Sequence, residues 1–174
     1  MKRATLLALA ALLPLAAQAE LSQVSAQGFV ASFRDEVKAS PDAVWQAIVQ
    51  LPRWWNGSHT YSGKADNLSL DLRAGGCWCE RWDGGAVQHA QVVLVMPGRL
   101  LRLHGGLGPL QDLPVQGVLN LGIGQQDGKT VLRLHYRVGG PADAALDKLA
   151  GPVNGVLAEQ FQRLKSLVET GSPG

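Results

Sequence analysis

The sequence predicts an α+β protein in which a curved antiparallel sheet of about six to seven strands grips one long C-terminal α-helix, with one or two short helices after the first strand. Three observations carry this expectation. Residues 68–138 read as consecutive short strands joined by glycine-rich turns, residues 141–170 carry a long apolar stripe at helical spacing, and a helix start at residues 40–42 separates the first strand from the rest.

Taken in order, Lys2 and Arg3 precede an Ala/Leu-rich run, and "AQA" at 17–19 fits a small-residue cleavage site. Residues 1–19 are therefore expected to be a signal peptide, cleaved after Ala19, and the protein to be periplasmic or secreted in a bacterium. The apolar run is too short for a good membrane span and no second one follows, so no stable membrane insertion is expected after cleavage. Removing Lys2 and Arg3 from the 16 basic residues leaves basic and acidic residues equal in number, 14 of the latter being present, which argues for neither nucleic acid nor anionic membrane as a partner. What remains suits one domain, with room for a cavity.

Residues 20–27 are small and polar and read as a loose lead-in. "GFVASFRDEVKAS" (28–40) alternates as a strand, with Phe29, Ala31, Phe33, Asp35 and Val37 on one face. Ser40 then reads as an N-cap, Pro41 as the first helical residue and Asp42 as an acid favoured by the helix dipole, while Pro52 stops that helix. Further strands are expected near 68–73, 76–83, 86–96, 99–106, 115–124 and 129–138, with turns at "AGG", "DGG", "PGR" and "QDGK". Connections this short dictate an antiparallel meander. Leu146, Leu149, Val153, Val156, Leu157, Phe161, Leu164 and Val168 form the terminal helix stripe, and "AGPVNG" (150–155) predicts a kink within it. Residues 171–174 are expected to fray.

This order, with "SPDAVWQAIVQLPRWW" after the first strand, "AGGCWCE" in the sheet and "VLAEQFQRLKSLVE" at the end of the last helix, resembles the SRPBCC superfamily, the START/Bet v 1-like helix-grip fold. Within it the chain is most similar to polyketide cyclase-like and Hsp90-ATPase-activator-homology proteins over residues 28–170. The resemblance implies a cavity between helix and sheet that holds a hydrophobic small molecule or lipid. It supplies no catalytic signature and no cofactor, and none is expected.

"GGCWCERWDGG" (75–85) is the densest chemical stretch. In an extended strand Cys77, Cys79 and Arg81 share one face and Trp78, Glu80 and Trp82 the other. Two cysteines at this spacing favour packing as small hydrophobes over a disulfide, which would need a bulge, or over a metal site completed by His89 across the turn. Glu80 among tryptophans would have a raised pKa and suits a general acid/base or a ligand acceptor, against the alternative of a surface carboxylate paired with an arginine. Trp54, Trp55, His59 and Tyr61 crowd a segment suited to ligand recognition or to capping the core. His104 and His135 are out of phase with their apolar neighbours and should face solvent. The loop 105–114 presents Leu107, Leu110 and Leu113 together, as a lid or as packing.

No nucleophile elbow, zinc-protease motif or phosphate loop occurs. Three functions remain open. One is a carrier of a hydrophobic small molecule or lipid contacted by Trp54, Trp55, His59, Tyr61, Trp78, Glu80, Trp82, Leu107 and Leu110. Another is a cyclase- or hydrolase-type enzyme with Glu80 as acid/base helped by His59 or His89. The third is a protein-interaction domain without a ligand.

Overall fold

The computed structural model describes residues 18–174, so the expected leader lies almost entirely outside the described residues. The chain forms β1 (Gln18–Ser25), β2 (Gly28–Val37), α1 (Pro41–Ile48), α2 (Leu51–Trp54), β3 (Leu68–Leu70), β4 (Cys77–Trp82), β5 (Gly85–Met96), β6 (Leu100–His104), β7 (Gln116–Gln126), β8 (Lys129–Gly139) and α3 (Leu146–Thr170). All eight strands join one antiparallel sheet in the order β1-β2-β8-β7-β6-β5-β4-β3. The class is as the sequence predicts, with one strand more than expected. That strand is β1: the supposed loose lead-in at 20–27 is instead largely a strand, paired from Gln18↔Arg34 to Ser25↔Gly28. An edge strand needs an apolar face only where it covers something, and this one has Leu21 and Val24 exposed.

Local rules account for most of the remaining elements. Ser40 accepts a hydrogen bond from the Ala43 amide at 3.2 Å, capping α1. β7 and β8 meet through Asp127 and Gly128, both at positive φ (50° and 76°), the backbone geometry of a type I′ hairpin turn. Phe29, Ala31 and Phe33 of β2 point to the core, where Phe33 stacks on Phe161 of α3 at 5.7 Å. Asp35 on the same face is hydrogen-bonded by Lys165 of α3. α3 is one continuous element. The helix begins at Leu146 and runs unbroken through Gly151, Pro152 and Gly155, although Pro152 cannot donate to the preceding turn. No helix among the described residues is long and apolar enough to cross a membrane.

β5 departs twice from regular pairing. Trp78 pairs with Ala90 and Cys79 with Gln88, so His89 is an extra residue opposite that step; a second shift falls between Val92 and Leu94. A bulge bends a strand and re-aims its side chains. Here it turns both His89 and Ala90 inward, whereas regular alternation would expose one of them.

The cysteines require a correction. Cys77 and Cys79 form a disulfide, their Cα atoms 5.3 Å apart, within the range such a bond needs. An unbulged strand would hold them too far apart, and the irregular pairing beside Trp78 provides the shorter separation. The two are thus neither independent packing residues nor available as thiolates, and the metal set Cys77, Cys79 and His89 is overturned.

Candidate functional site

Three chain segments converge at one end of α3: residues 55–61, the turn at 107–112 and helix residues 152–157. They enclose a pocket of about 400 Å³. Trp55, Leu107, Pro109, Val153, Val156 and Leu157 supply apolar walls, while Ser58, His59, Thr60, Tyr61 and Asp112 bring polar groups. Two further concavities of about 430 and 460 Å³ are lined by strands and their turns alone, without a helix over them.

α3 holds the first segment along one helix face. Gln160 accepts from the Asn56 amide at 2.7 Å, and Arg163 donates to the Trp54 carbonyl at 2.9 Å. Glu159 accepts from the Asn56 side chain and lies 2.9 Å from His59 Nε2. These hydrogen bonds hold the Glu159 carboxyl below its ordinary range, favouring the ionised form against the opposing effect of burial. The result is a carboxylate-backed imidazole at the pocket wall. The second segment is tied by Tyr136, whose buried hydroxyl accepts from the Leu107 amide at 3.0 Å and donates to the Gly105 carbonyl at 2.8 Å. Tyr61 joins the two segments by donating to Gln111 Oε1 at 2.9 Å.

The expected ligand contacts separate into groups. Trp55, His59, Tyr61 and Leu107 line the pocket. Trp54 is instead a core residue, its indole donating to the Ile48 carbonyl. Trp78 lies behind Trp55, the rings edge to face at 4.8 Å. Trp82 packs against Gly85 at the β4–β5 turn, where a Cβ would fall 2.5 Å from the indole, and takes no part in the pocket. Leu110 is fully buried beneath its own turn, Leu107 is nearly so and Leu113 is half-buried, so the loop does not present the three leucines together to solvent. His104 is exposed, while His135 is half-buried on the outer side of the sheet near arginines. The wall residues of α3 were visible only as part of the apolar stripe, and nothing in the spacing marked Glu159.

Glu80 is brought to this region but occupied within it. Fully buried, it accepts from the backbone amides of Tyr61 at 3.0 Å and of Ser62, and lies 3.0 Å from His89 Nε2. Burial pushes its pKa up, but the hydrogen bonds from Ser62, Tyr61 and His89 together outweigh burial and bring it below the usual carboxylate range. The expected raised pKa is therefore corrected, and Glu80 is poorly suited to be a proton donor. His89 is also buried; desolvation lowers its pKa despite the neighbouring carboxylate. Among the described residues, the side-chain polar atoms buried without a protein partner are Trp78 Nε1, Asn154 Oδ1 and Gln160 Nε2.

No family model and no curated protein matches the chain. Solved structures do. CalU16 from Micromonospora echinospora aligns with a TM-score of 0.60 at 17% identity, over 91% of this chain and 87% of that one. The conserved protein EF2215 from Enterococcus faecalis gives 0.58 at 15% identity, covering 90% and 79%. The Aha1 dimer from Colwellia psychrerythraea gives 0.54 at 18% identity, covering 82% and 97%. The chain therefore shares the fold of these structures, and in it an antiparallel sheet wraps a C-terminal helix in a helix-grip arrangement.

Proposed function

We propose that the protein is an exported carrier for an amphipathic small molecule or lipid, held between α3, the 55–61 segment and the 107–112 turn. The pocket carries this reading: its walls are apolar, its polar groups are few and of differing chemistry, and its volume lies within the range of small-molecule sites. Trp55 and Leu157 would contact the apolar body, while His59, Tyr61 and Asp112 would meet a polar head. Export rests on the leader-like first 19 residues. Native mass spectrometry of protein recovered from its own compartment tests the proposal. A stoichiometric apolar or amphipathic compound is expected, and Val156→Trp, which fills the pocket from a half-buried helix position, should empty it while leaving the fold intact. Equal ligand retention by that variant would reject this pocket as the site.

A second reading, a cyclase- or hydrolase-type enzyme, is favoured by one observation: the His59 imidazole at the pocket wall is backed by Glu159. A carboxylate behind a histidine orients the ring for general-base work. On that reading His59, rather than Glu80, handles the proton. His59→Gln would then abolish turnover of the bound compound.

A further inference from the structure

Cys77 and Cys79 face away from the core. Their cross-strand partners are Gln91, Gln88 and Ser69, all exposed, and neither cysteine belongs to the apolar cluster between sheet and helix. The bond joins no two elements, because both halves lie in β4, which is already paired to β3 and β5. With a sequence separation of 2, it closes about the shortest loop a disulfide can, and such a loop restrains the unfolded chain least. The two residues also differ in exposure: Cys79 is 8% exposed, whereas Cys77 is half-buried. Arg81 lies on the same strand face two residues beyond Cys79, and its guanidinium donates at 3.2 Å to Ser69, the residue paired with Cys79. A cation there favours a thiolate at Cys79. A more exposed cysteine joined to one whose thiolate leaves easily, on a solvent-side face and with little structural duty, describes an exchangeable bond.

We infer that the Cys77–Cys79 disulfide takes part in thiol–disulfide exchange, accepting two electrons from small or peptide thiols of the glutathione class. A substrate thiolate attacks the sulfur of Cys77, forming a mixed disulfide and releasing Cys79 as a thiolate beside Arg81. A second substrate thiolate attacks the substrate sulfur of that mixed disulfide. One substrate disulfide leaves, Cys77 and Cys79 remain as thiols, and the two protons lost by the substrate thiols balance the two taken up by the cysteines. Oxidised glutathione reverses both steps.

The folded, oxidised protein incubated near neutral pH with millimolar reduced glutathione and no denaturant provides the test, followed by acid quenching, alkylation and intact-mass measurement. Near-ultraviolet circular dichroism in parallel reports whether the fold persists. Both cysteines should become alkylated while the fold is retained. Peptide mapping of samples quenched early should place the mixed-disulfide glutathione on Cys77 rather than on Cys79. Arg81→Gln should slow the opening of the wild-type bond several-fold. A bond that resists glutathione in the folded protein and opens only on denaturation would overturn the inference, as would exchange occurring faster at Cys79.

Discussion

Glu80 shows what a single residue contributes here. A fully buried carboxylate would be costly alone, but two backbone amides and an imidazole hydrogen-bond it. It thereby ties the 61–62 backbone to the sheet directly beneath the pocket. Glu80→Gln leaves the two amides with a weaker, uncharged acceptor and should lower unfolding free energy by about 2 kcal/mol in urea titration, with the fold retained. The effects of pH at this pair run in one direction. The lowered Glu80 pKa means that its contribution is in place above the ordinary value of 4.5 and is lost as pH falls through the folded value. His89, also lowered, holds fewer protons folded than unfolded, so stability declines as pH drops below the ordinary 6.5 towards its folded value. Urea midpoints at about pH 7 and about pH 5 should therefore fall less in His89→Gln than in the wild type. The sequence singled out Glu80 because of its aromatic neighbours, but it led to the wrong sign of the pKa shift. The amides that lower the pKa come from residues 61 and 62, distant in sequence, and a bulge turns His89 inward; neither backbone feature has a side-chain pattern to announce it.

At the scale of elements, legibility followed burial. β2 and β8 have one face on the core and could be read from alternation, whereas β1 covers little and has no such alternation. The β4 disulfide was hidden for a related reason: regular strand geometry argues against it, and only a pairing shift on the neighbouring strand permits it. The chain-entropy estimate for so short a loop is about 1.6 kcal/mol, so the double variant Cys77→Ser, Cys79→Ser should remain folded and lose no more than that. Gly151 and Gly155 in α3 offer a separate check. Beyond its chain neighbours and the helix's own backbone, neither has any atom within 4 Å of where a Cβ would sit, and both are exposed. Replacing Gly155 with Ala should stabilise the protein by about 1 kcal/mol and raise Tm by roughly 2–4 °C through better helix propensity, whereas Ala at 151 sets a Cβ against the Pro152 ring and should gain less. Calorimetry on the Gly155→Ala variant would show an unchanged or lowered Tm if the stretch around Pro152 is locally unravelled in solution.

Across the whole molecule, the pocket belongs to no single element. Its walls come from parts of the chain separated by as much as the span from Trp55 to Leu157, brought together because α3 crosses the sheet and clamps the 54–59 segment with Glu159, Gln160 and Arg163. A ligand bound there would engage pieces that only the complete fold assembles, so it binds the native state and not the unfolded chain. At a free concentration of a hundred times Kd, it should add about 2.7 kcal/mol to unfolding free energy. The added protection should not be uniform. Residues 57–61 and 107–112 are short turns held by a few hydrogen bonds, so they open locally at lower free energy than β7 and β8, which are paired along their lengths. Hydrogen exchange with and without the compound recovered from the native protein should slow most in those two segments and in the 152–157 turn of α3. Protection concentrated instead on the outer face near Arg99, Arg102 and Arg133 would move the binding site to the opposite side of the sheet and leave the helix-covered pocket without its proposed role.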